Sequence, residues 1–427
     1  MTQVFDAPDV ILACPLCGGR DLAQLIAAHG FDAFTTLGDG VSFTIGAGCC
    51  TKCGFVFLSP RGSQSQMSRY YARQSRIPRK SDNLGAGFSS LLDLQVEFLL
   101  AGWTGPRASR VLDIGGAEGF FLDRLRQQLG GSVQCVLVEP SGKYADFAAG
   151  LIPDIEIHRC MLEEATLGGE QFDIVSMRHV LEHVQAPLDV LRVARGLLRP
   201  GGRLHLELPD AAIWPASVSS MFHHEHLNYF VQETLRFAMA RAGLRVDRLE
   251  SWTGNPANSG FSYPVLRCIA SAADFGSGEC ESPDPIKIVD GIRAQIDSRN
   301  RFLSERIAPL RHRLVQLSSS GARLGLFGGG PHTLDLLSAL DLPHSIWQVV
   351  LDNNPNKSGR SLKGIRIVPP SREELSRLDV VVISSEAFEA EMATQAEALG
   401  MPRAKIVTIY SSNDDCSSAA ANRRTHA

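Results

Sequence analysis

Residues 108–129 read ASRVLDIGGAEGFFLDRLRQQL, and their pattern predicts the fold of the central part of the chain. An apolar run comes first, a glycine-rich turn follows, and the remainder has the apolar spacing of an amphipathic helix. The next apolar run, residues 132–139, ends in the acidic Glu139. Strand and helix patterns continue to alternate up to about residue 210, which predicts an open α/β sheet.

The turn DIGGAEG, residues 113–119, differs from the dinucleotide pattern G-x-G-x-x-G. It resembles the D-x-G-x-x-x-G turn of class I S-adenosylmethionine-dependent methyltransferases. Its glycines let the backbone approach the amino-acid part of such a cofactor, and Glu139 is placed to accept both ribose hydroxyls. The cofactor-binding residues that we expect are Asp113, Gly115, Gly116, Gly119, Glu139 and His179. The alternative is a glycine-rich turn in some other doubly wound domain.

Three polar stretches follow the later strands of this pattern. They are HVLEHV at residues 179–184, LPD at residues 208–210 and FHHEHLNY at residues 222–229. In a doubly wound fold, ligands bind at the carboxyl ends of the strands. We therefore expect these stretches to face one pocket.

Five of the ten cysteines lie in the first 53 residues. Two C-x-x-C pairs, Cys14 with Cys17 and Cys50 with Cys53, resemble the knuckles of a zinc ribbon. Four thiolates close the shell of a tetrahedral zinc ion, which predicts a structural site, and Cys49 is interpreted as a bystander. Free thiols and a nucleic-acid-binding ribbon are the alternatives. Against the second, residues 19–48 between the pairs contain one arginine and no lysine.

Composition limits the classes of function. The chain is 44% hydrophobic and 21% charged, with a net charge of −4 and no basic stripe, so nucleic acid is not an expected partner. No apolar run approaches the roughly 18–20 residues needed to span a bilayer. The N-terminus is acidic where a signal peptide would be basic and apolar. These features predict a cytoplasmic protein with a small-molecule substrate and no membrane partner, and they leave the oligomeric state open.

The combination of these features resembles one narrower group, the zinc-containing sugar C-methyltransferases, which methylate keto-deoxysugars attached to a nucleoside diphosphate. The H-E-H stretch at residues 224–226 is the most specific element of the likeness. The resemblance implies that His226 is the general base, that Glu225 precedes it and that His183 is the histidine after the fourth strand. His224 completes the set of predicted catalytic residues.

The chemistry agrees with that implication. A sugar carbon next to a ketone loses a proton to an aligned base, and histidine is a base near neutral pH. The enolate carbon then takes the methyl group of the sulfonium. A metal site made of His224, Glu225 and His226 is less attractive, because adjacent side chains point in different directions.

The chain also departs from that family. His223 stands where family members commonly have a tyrosine, and basic residues surround Tyr70 and Tyr71. The residues predicted to contact the substrate are Tyr70, Tyr71, Arg76, His223, Tyr229, Gly329 and His332. The departures leave the acceptor atom open, so an O- or N-methyltransferase is the alternative function. An NAD-dependent oxidoreductase is a more distant one.

A second Rossmann-like α/β domain is predicted near the C-terminus, with a glycine-rich turn at residues 328–330 and a strand that ends in Asp352. Position 333 is a threonine where a dinucleotide fingerprint would have glycine. The turn and His332 are predicted to approach phosphates, with a packing domain as the alternative. The predicted domains are zinc-binding, 1–62; helical connector, 63–105; methyltransferase, 106–250; strand and helical linker, 251–320; Rossmann-like, 321–411; and disordered tail, 412–427.

We expect the purified protein to hold one zinc ion per chain. Cys17→Ser and Cys53→Ser should each remove it, because a closed tetrahedral site needs all four thiolates. Elemental analysis of folded protein measures the ratio of zinc to chain, and Cys49→Ser is the matched control that should keep the metal. A folded sample without zinc, or both serine variants with their zinc intact, would contradict this prediction.

Overall fold

A computed structural model describes residues 7–34, 40–73, 86–105, 110–130, 132–167, 169, 171–253, 264–273 and 281–410. The chain divides into two compact units, one from residues 1–214 with 221–293 and one from residues 215–220 with 294–427. Both units combine helices with sheets, so the predicted α/β class is confirmed. Among the residues in these ranges, no helix is both long and apolar enough to cross a membrane.

The strands are β1 (Leu22–Phe34), β2 (Gly40–Cys50), β3 (Val56–Leu58), β4 (Arg110–Ile114), β5 (Gln134–Val138), β6 (Glu156–His158), β7 (Phe172–Arg178), β8 (Leu198–Pro209), β9 (Asn228–Tyr229), β10 (Leu244–Trp252), β11 (Val265–Ala272), β12 (Leu324–Phe327), β13 (Trp347–Leu351), β14 (Ser361–Leu362), β15 (Ile365–Val368), β16 (Val380–Ile383) and β17 (Ile406–Val407). The helices are α1 (Gln64–Arg73), α2 (Ala86–Leu100), α3 (Phe120–Leu129), α4 (Gly142–Leu151), α5 (Pro187–Gly196), α6 (Gln232–Arg241), α7 (Pro285–Phe302), α8 (Ala308–Ser319), α9 (Pro331–Leu340), α10 (Arg372–Ser376) and α11 (Glu389–Ala398).

Seven strands form the central sheet, in the order β10-β11-β8-β7-β4-β5-β6. The five strands from β4 to β8 lie parallel to one another, whereas β11 runs antiparallel to both β8 and β10. The order reverses at β4, whose neighbours are β5 and β7. Strand β11 lies in the segment predicted as a linker, and its pairing with β8 makes it part of this sheet.

Local sequence explains where the central helices begin. Gly119 has a left-handed backbone, with φ of 79°, directly before α3. Such a conformation suits glycine because it has no Cβ. Ser141 precedes α4, and its hydroxyl accepts a hydrogen bond from the amide of Tyr144. Pro187 begins α5, where the missing amide hydrogen costs no helical hydrogen bond.

A second sheet in the same unit is antiparallel and has the order β1-β2-β3-β9. Strand β9 comes from far along the chain, and it pairs Tyr229 with Val56 and Asn228 with Phe57. The chain after β8 therefore returns to the N-terminal sheet. This pairing holds the end of the histidine stretch.

The other unit has a six-stranded sheet in the order β14-β15-β13-β12-β16-β17. All of these strands are parallel except β14. Residues 215–220 belong to this unit. The guanidinium of Arg299 donates hydrogen bonds to the carbonyls of Val218 (2.8 Å) and Ser219 (3.2 Å), and Ser217 donates to Glu386 (2.7 Å).

Leu206 lies in the middle of β8, and its side chain is fully buried in the central core. We expect Leu206→Ala to lower the free energy of unfolding by about 2–5 kcal/mol, because it removes apolar contacts and leaves a cavity. Urea unfolding followed by circular dichroism measures the change. Val193→Ala, at an exposed position of α5, is the control and should change the free energy by about 0.5 kcal/mol or less. Equal effects of the two substitutions would contradict the assignment of Leu206 to the core.

Candidate functional site

The site follows from the reversal of strand order at β4. In open α/β sheets, ligands bind outside the carboxyl ends of the strands at such a point. In this sheet the glycine turn follows β4, Glu139 follows β5 and residues 179–184 follow β7. The predicted cofactor residues therefore come to one edge of one sheet.

The glycine turn depends on the residues that the sequence singled out. Gly115 has φ of 67°, and a Cβ there would come within 2.6 Å of Val180. A Cβ at Gly116 would overlap with the Asp113 carboxylate, which is fully buried beneath the turn. Burial raises the pKa of Asp113, and Arg178 lies 3.7 Å from it. Asp113 thus supports the turn from below, and its contact with a cofactor stays a prediction.

Glu139 is buried directly after β5. Its two carboxylate oxygens accept hydrogen bonds from the amides of Ala117 (3.0 Å) and Ser141 (2.8 Å). Burial raises its pKa despite these two donors. The carboxylate thus links the glycine turn to the start of α4, beside the place predicted for the cofactor.

The loop after β7 begins with a strained residue. His179 has φ of 54°, a left-handed conformation that is uncommon outside glycine and that clusters at functional sites. Its Nδ1 lies 3.2 Å from Glu182 Oε1, and its Nε2 lies 3.6 Å from Glu207 Oε1. His179 is therefore held between two buried carboxylates, and its predicted contact with a cofactor is not tested by these distances.

Hydrogen bonds join this loop to the histidine stretch, residues 222–229. The carbonyl of Glu182 accepts the amides of Leu227 (2.7 Å) and Asn228 (3.1 Å). The side-chain amide of Asn228 donates to the carbonyls of Leu181 (3.2 Å) and Val184 (2.7 Å). These hydrogen bonds hold the loop after β7 against the loop after β8.

The hydrogen bonds between the two loops bring three imidazole rings together. The ring centroids of His183 and His226 lie 4.9 Å apart, and those of His223 and His226 lie 3.9 Å apart. The Nδ1 of His183 hydrogen-bonds the backbone carbonyl of Glu225 at 2.8 Å. Burial lowers the pKa of His226 well below 6.5, so this imidazole is neutral near pH 7 and has a lone pair that can accept a proton.

His224 points away from this cluster. Its ring stacks on Phe43 at 4.7 Å and meets the edge of Tyr70 at 4.5 Å. Burial lowers the pKa of His224 to about 4. His224 therefore packs against Phe43 and Tyr70, with its ring 6.3 Å from that of His223, and its catalytic role stays a prediction.

Other predicted substrate residues have intramolecular contacts. The hydroxyl of Tyr229 accepts the amide of His223 at 3.3 Å. In the second unit, the Gly329 amide donates to Asp352 at 2.8 Å, and the ring nitrogens of His332 contact Ser219 (3.2 Å) and Tyr410 (2.6 Å). These contacts use the groups that were predicted to approach phosphates. The side chain of Tyr71 and all of Arg76 lie outside the described residues.

The four predicted metal-binding cysteines lie together. The sulfur atoms of Cys14, Cys17, Cys50 and Cys53 are all within 4.8 Å of one another. The amide of Gly19 donates to the Cys17 sulfur at 3.3 Å, and Cys49 is buried outside the group. Four sulfur donors at this spacing fit a tetrahedral zinc ion. Zinc at this position remains a prediction.

Sequence reasoning missed Glu182 as a site residue. It is 1% exposed, and one of its carboxylate oxygens lies within 4.8 Å of ligand atoms of both His183 and His226. The signal was present in H-x-x-E-H, residues 179–183, whose spacing brings His179 and Glu182 together in one turn. Its nearness to His226 depends on long-range pairing and has no local signal.

Comparison with known proteins gives the class of the central part of the chain. Residues 87–249 match a family model described as a methyltransferase domain. Ubiquinone biosynthesis O-methyltransferases from Xanthomonas axonopodis pv. citri and Roseobacter denitrificans are 31% identical over 104 residues and 34% identical over 96 residues. These matches cover 24% and 22% of this chain, and 43% and 38% of the relatives. The chain thus spans less than half the length of these curated relatives.

Solved structures of methyltransferases are also similar to this chain. An S-adenosylmethionine-dependent methyltransferase from Mesorhizobium loti is 18% identical with a TM-score of 0.34, covering 42% of this chain and 99% of its own. The 1,6-didemethyltoxoflavin-N1-methyltransferase of Burkholderia thailandensis, with bound S-adenosylhomocysteine, is 16% identical with a TM-score of 0.38, covering 52% and 96%. The family match and the curated relatives show that residues 87–249 are similar to a methyltransferase domain.

Proposed function

We propose that the chain is an S-adenosylmethionine-dependent C-methyltransferase that acts on a nucleotide-linked keto-sugar, at a carbon next to the ketone. The observation that carries this proposal is the meeting of His183, His223 and His226 on loops at the carboxyl ends of β7 and β8. That edge also carries the glycine turn of the methyltransferase domain. A base and a methyl donor would therefore lie at the same edge of the central sheet.

The residues at the turn fit the cofactor. Only glycine fits at position 116, because a Cβ there would overlap with Asp113, and Glu139 offers a buried carboxylate that can accept ribose hydroxyls. When bound, the cofactor supplies an electrophilic methyl group on a sulfonium. The protein's part is to position that group and to exclude water.

His226 is the proposed base. Its neutral imidazole takes the proton from the carbon next to the ketone, and the electrons of that C–H bond enter the enolate. His223 and His183 pack against its ring and fix its orientation. The second α/β unit and the cysteine site are proposed to be a Rossmann-like domain and a structural zinc ribbon.

An O-methyltransferase is the second candidate, because the curated relatives that match the central domain are named ubiquinone biosynthesis O-methyltransferases. A histidine base suits a hydroxyl acceptor equally well, so the site alone does not separate the two reactions. Nuclear magnetic resonance of the methylated product separates them, because a C-methyl group and an O-methyl group have different chemical shifts.

We expect Glu139→Ala to weaken S-adenosylmethionine binding by at least about tenfold, which corresponds to roughly 1.4 kcal/mol for lost charge-assisted hydrogen bonds. Isothermal titration calorimetry on the full chain measures the affinity. Glu391→Ala, which removes an exposed carboxylate of α11, is the control and should bind as the unmodified protein does. Unchanged affinity in Glu139→Ala would place the cofactor elsewhere.

We expect His226→Asn to slow methyl transfer by about 10²–10⁴-fold and to leave cofactor binding nearly intact, because the lost interaction belongs to the transition state. Proton removal is measured directly in deuterated water. With S-adenosylhomocysteine bound, the enzyme should wash deuterium into the acidic sugar carbon, and His226→Asn should abolish this exchange. His312→Asn, at an exposed position of α8, is the control. Exchange that persists in His226→Asn would assign the base to another residue.

A further inference from the structure

Two groups of side chains in the described part of the chain have the spacing of metal ligands. One is the cysteine group, and the other is formed by Glu182, His183 and His226, whose ligand atoms all lie within 4.8 Å of one another. We propose that Glu182, His183 and His226 bind a divalent transition-metal ion. This second site lies at the carboxyl ends of β7 and β8.

The buried carboxylate of Glu182 supports a cation at this position. The Glu182 side chain is 1% exposed, and its Oε1 lies 3.2 Å from His179 Nδ1. Its Oε2 is buried and has no hydrogen-bond partner among the residues that the structure describes. A buried carboxylate oxygen without a donor is costly. A cation beside it would remove that cost.

The orientation of the His183 ring also supports metal binding. Its Nδ1 lies 2.8 Å from the backbone carbonyl of Glu225, and a carbonyl oxygen only accepts hydrogen bonds. Nδ1 therefore carries the hydrogen, and in the neutral ring the lone pair is on Nε2. That Nε2 lies 3.8 Å from Glu182 Oε1. Histidines that bind metals usually have this arrangement, with the other ring nitrogen donating to a carbonyl or a carboxylate.

His226 supplies the third ligand from the other loop, with its ring inclined at 72° to that of His183. Two imidazoles and one carboxylate suit first-row ions such as Co²⁺, Zn²⁺ and Fe²⁺. Three protein ligands leave further coordination positions for water or substrate, as in metal sites that exchange ligands. The cysteine group, by contrast, offers a closed shell of four sulfur atoms.

A metal ion at this site would affect the proposed reaction, and this expectation rests on the proposed function. The lone pair of His226 that binds the ion is the lone pair that would take the proton. Metal binding and proton removal are therefore exclusive at His226. A transition-metal ion at this site should inhibit deuterium exchange into the substrate.

The test uses Co²⁺ and the purified full chain with its cysteine site filled with zinc. Visible absorption should show one further Co²⁺ ion bound per chain, without the thiolate charge-transfer bands that cysteine ligands give. His183→Asn and His226→Asn should each weaken this binding by at least about 100-fold, since loss of only a hydrogen-bond partner of a ligand costs about 10–100-fold. His312→Asn should bind Co²⁺ as the unmodified protein does.

Circular dichroism checks that each variant is folded, and the use of two histidine variants keeps the test decisive if one of them is not. Failure to bind Co²⁺ beyond the cysteine site, or equal binding by the unmodified protein and both variants, would overturn the proposal. Because the titration contains no substrate, its result is independent of the proposed reaction. If Co²⁺ binds but the metal-free enzyme exchanges no deuterium, the site stands and the proposed reaction fails.

Discussion

The candidate site depends on the hydrogen bonds that the backbone carbonyl of Glu182 accepts. This carbonyl accepts the amides of Leu227 and Asn228 and so joins the loop after β7 to the loop after β8. His183 follows Glu182 directly, and His226 precedes Leu227 directly. The two imidazoles meet because the backbones that carry them are hydrogen-bonded one residue away. A buried amide without an acceptor costs about 1–3 kcal/mol, which holds this register in place.

The N-terminal sheet supports the same loop from its other side. Strand β3 pairs with β9, and the amide of Leu58 donates to the carbonyl of Leu227 at 3.0 Å. Phe43 of β2 stacks on His224. Cys50 ends β2 and Cys53 lies just before β3, so the cysteine group sits at the turn between the two strands that contact the histidine loop. A metal at the cysteines would stabilise this turn.

Local patterns predicted the parts of the site that depend on neighbours in sequence. The glycine turn, Glu139 and the four cysteines were found because a tight turn, a strand end and a knuckle each have a short spacing. The nearness of Glu182 to His226 and the packing of His224 on Phe43 were not predicted, because both depend on contacts between residues that are distant in sequence. The contacts of Gly329 with Asp352 and of His332 with Tyr410 were not predicted, because the partners are distant in sequence, and the approach of Gly329 and His332 to phosphates stays a prediction.

Glu182 also determines how the site divides its affinity between a proton and a metal ion. A base needs a neutral imidazole and a neighbour that stabilises the imidazolium it becomes, and a buried carboxylate does this. A transition-metal ion needs the same imidazole and an anionic oxygen beside it. The carboxylate of Glu182 meets both requirements, and only one lone pair on His226 is available to them. Burial strengthens the attraction between opposite charges because it lowers the local dielectric, but its net effect on His226 is to lower the pKa of the imidazole. A neutral imidazole at His226 and a carboxylate beside it are thus requirements that the proposed base and the proposed metal site share.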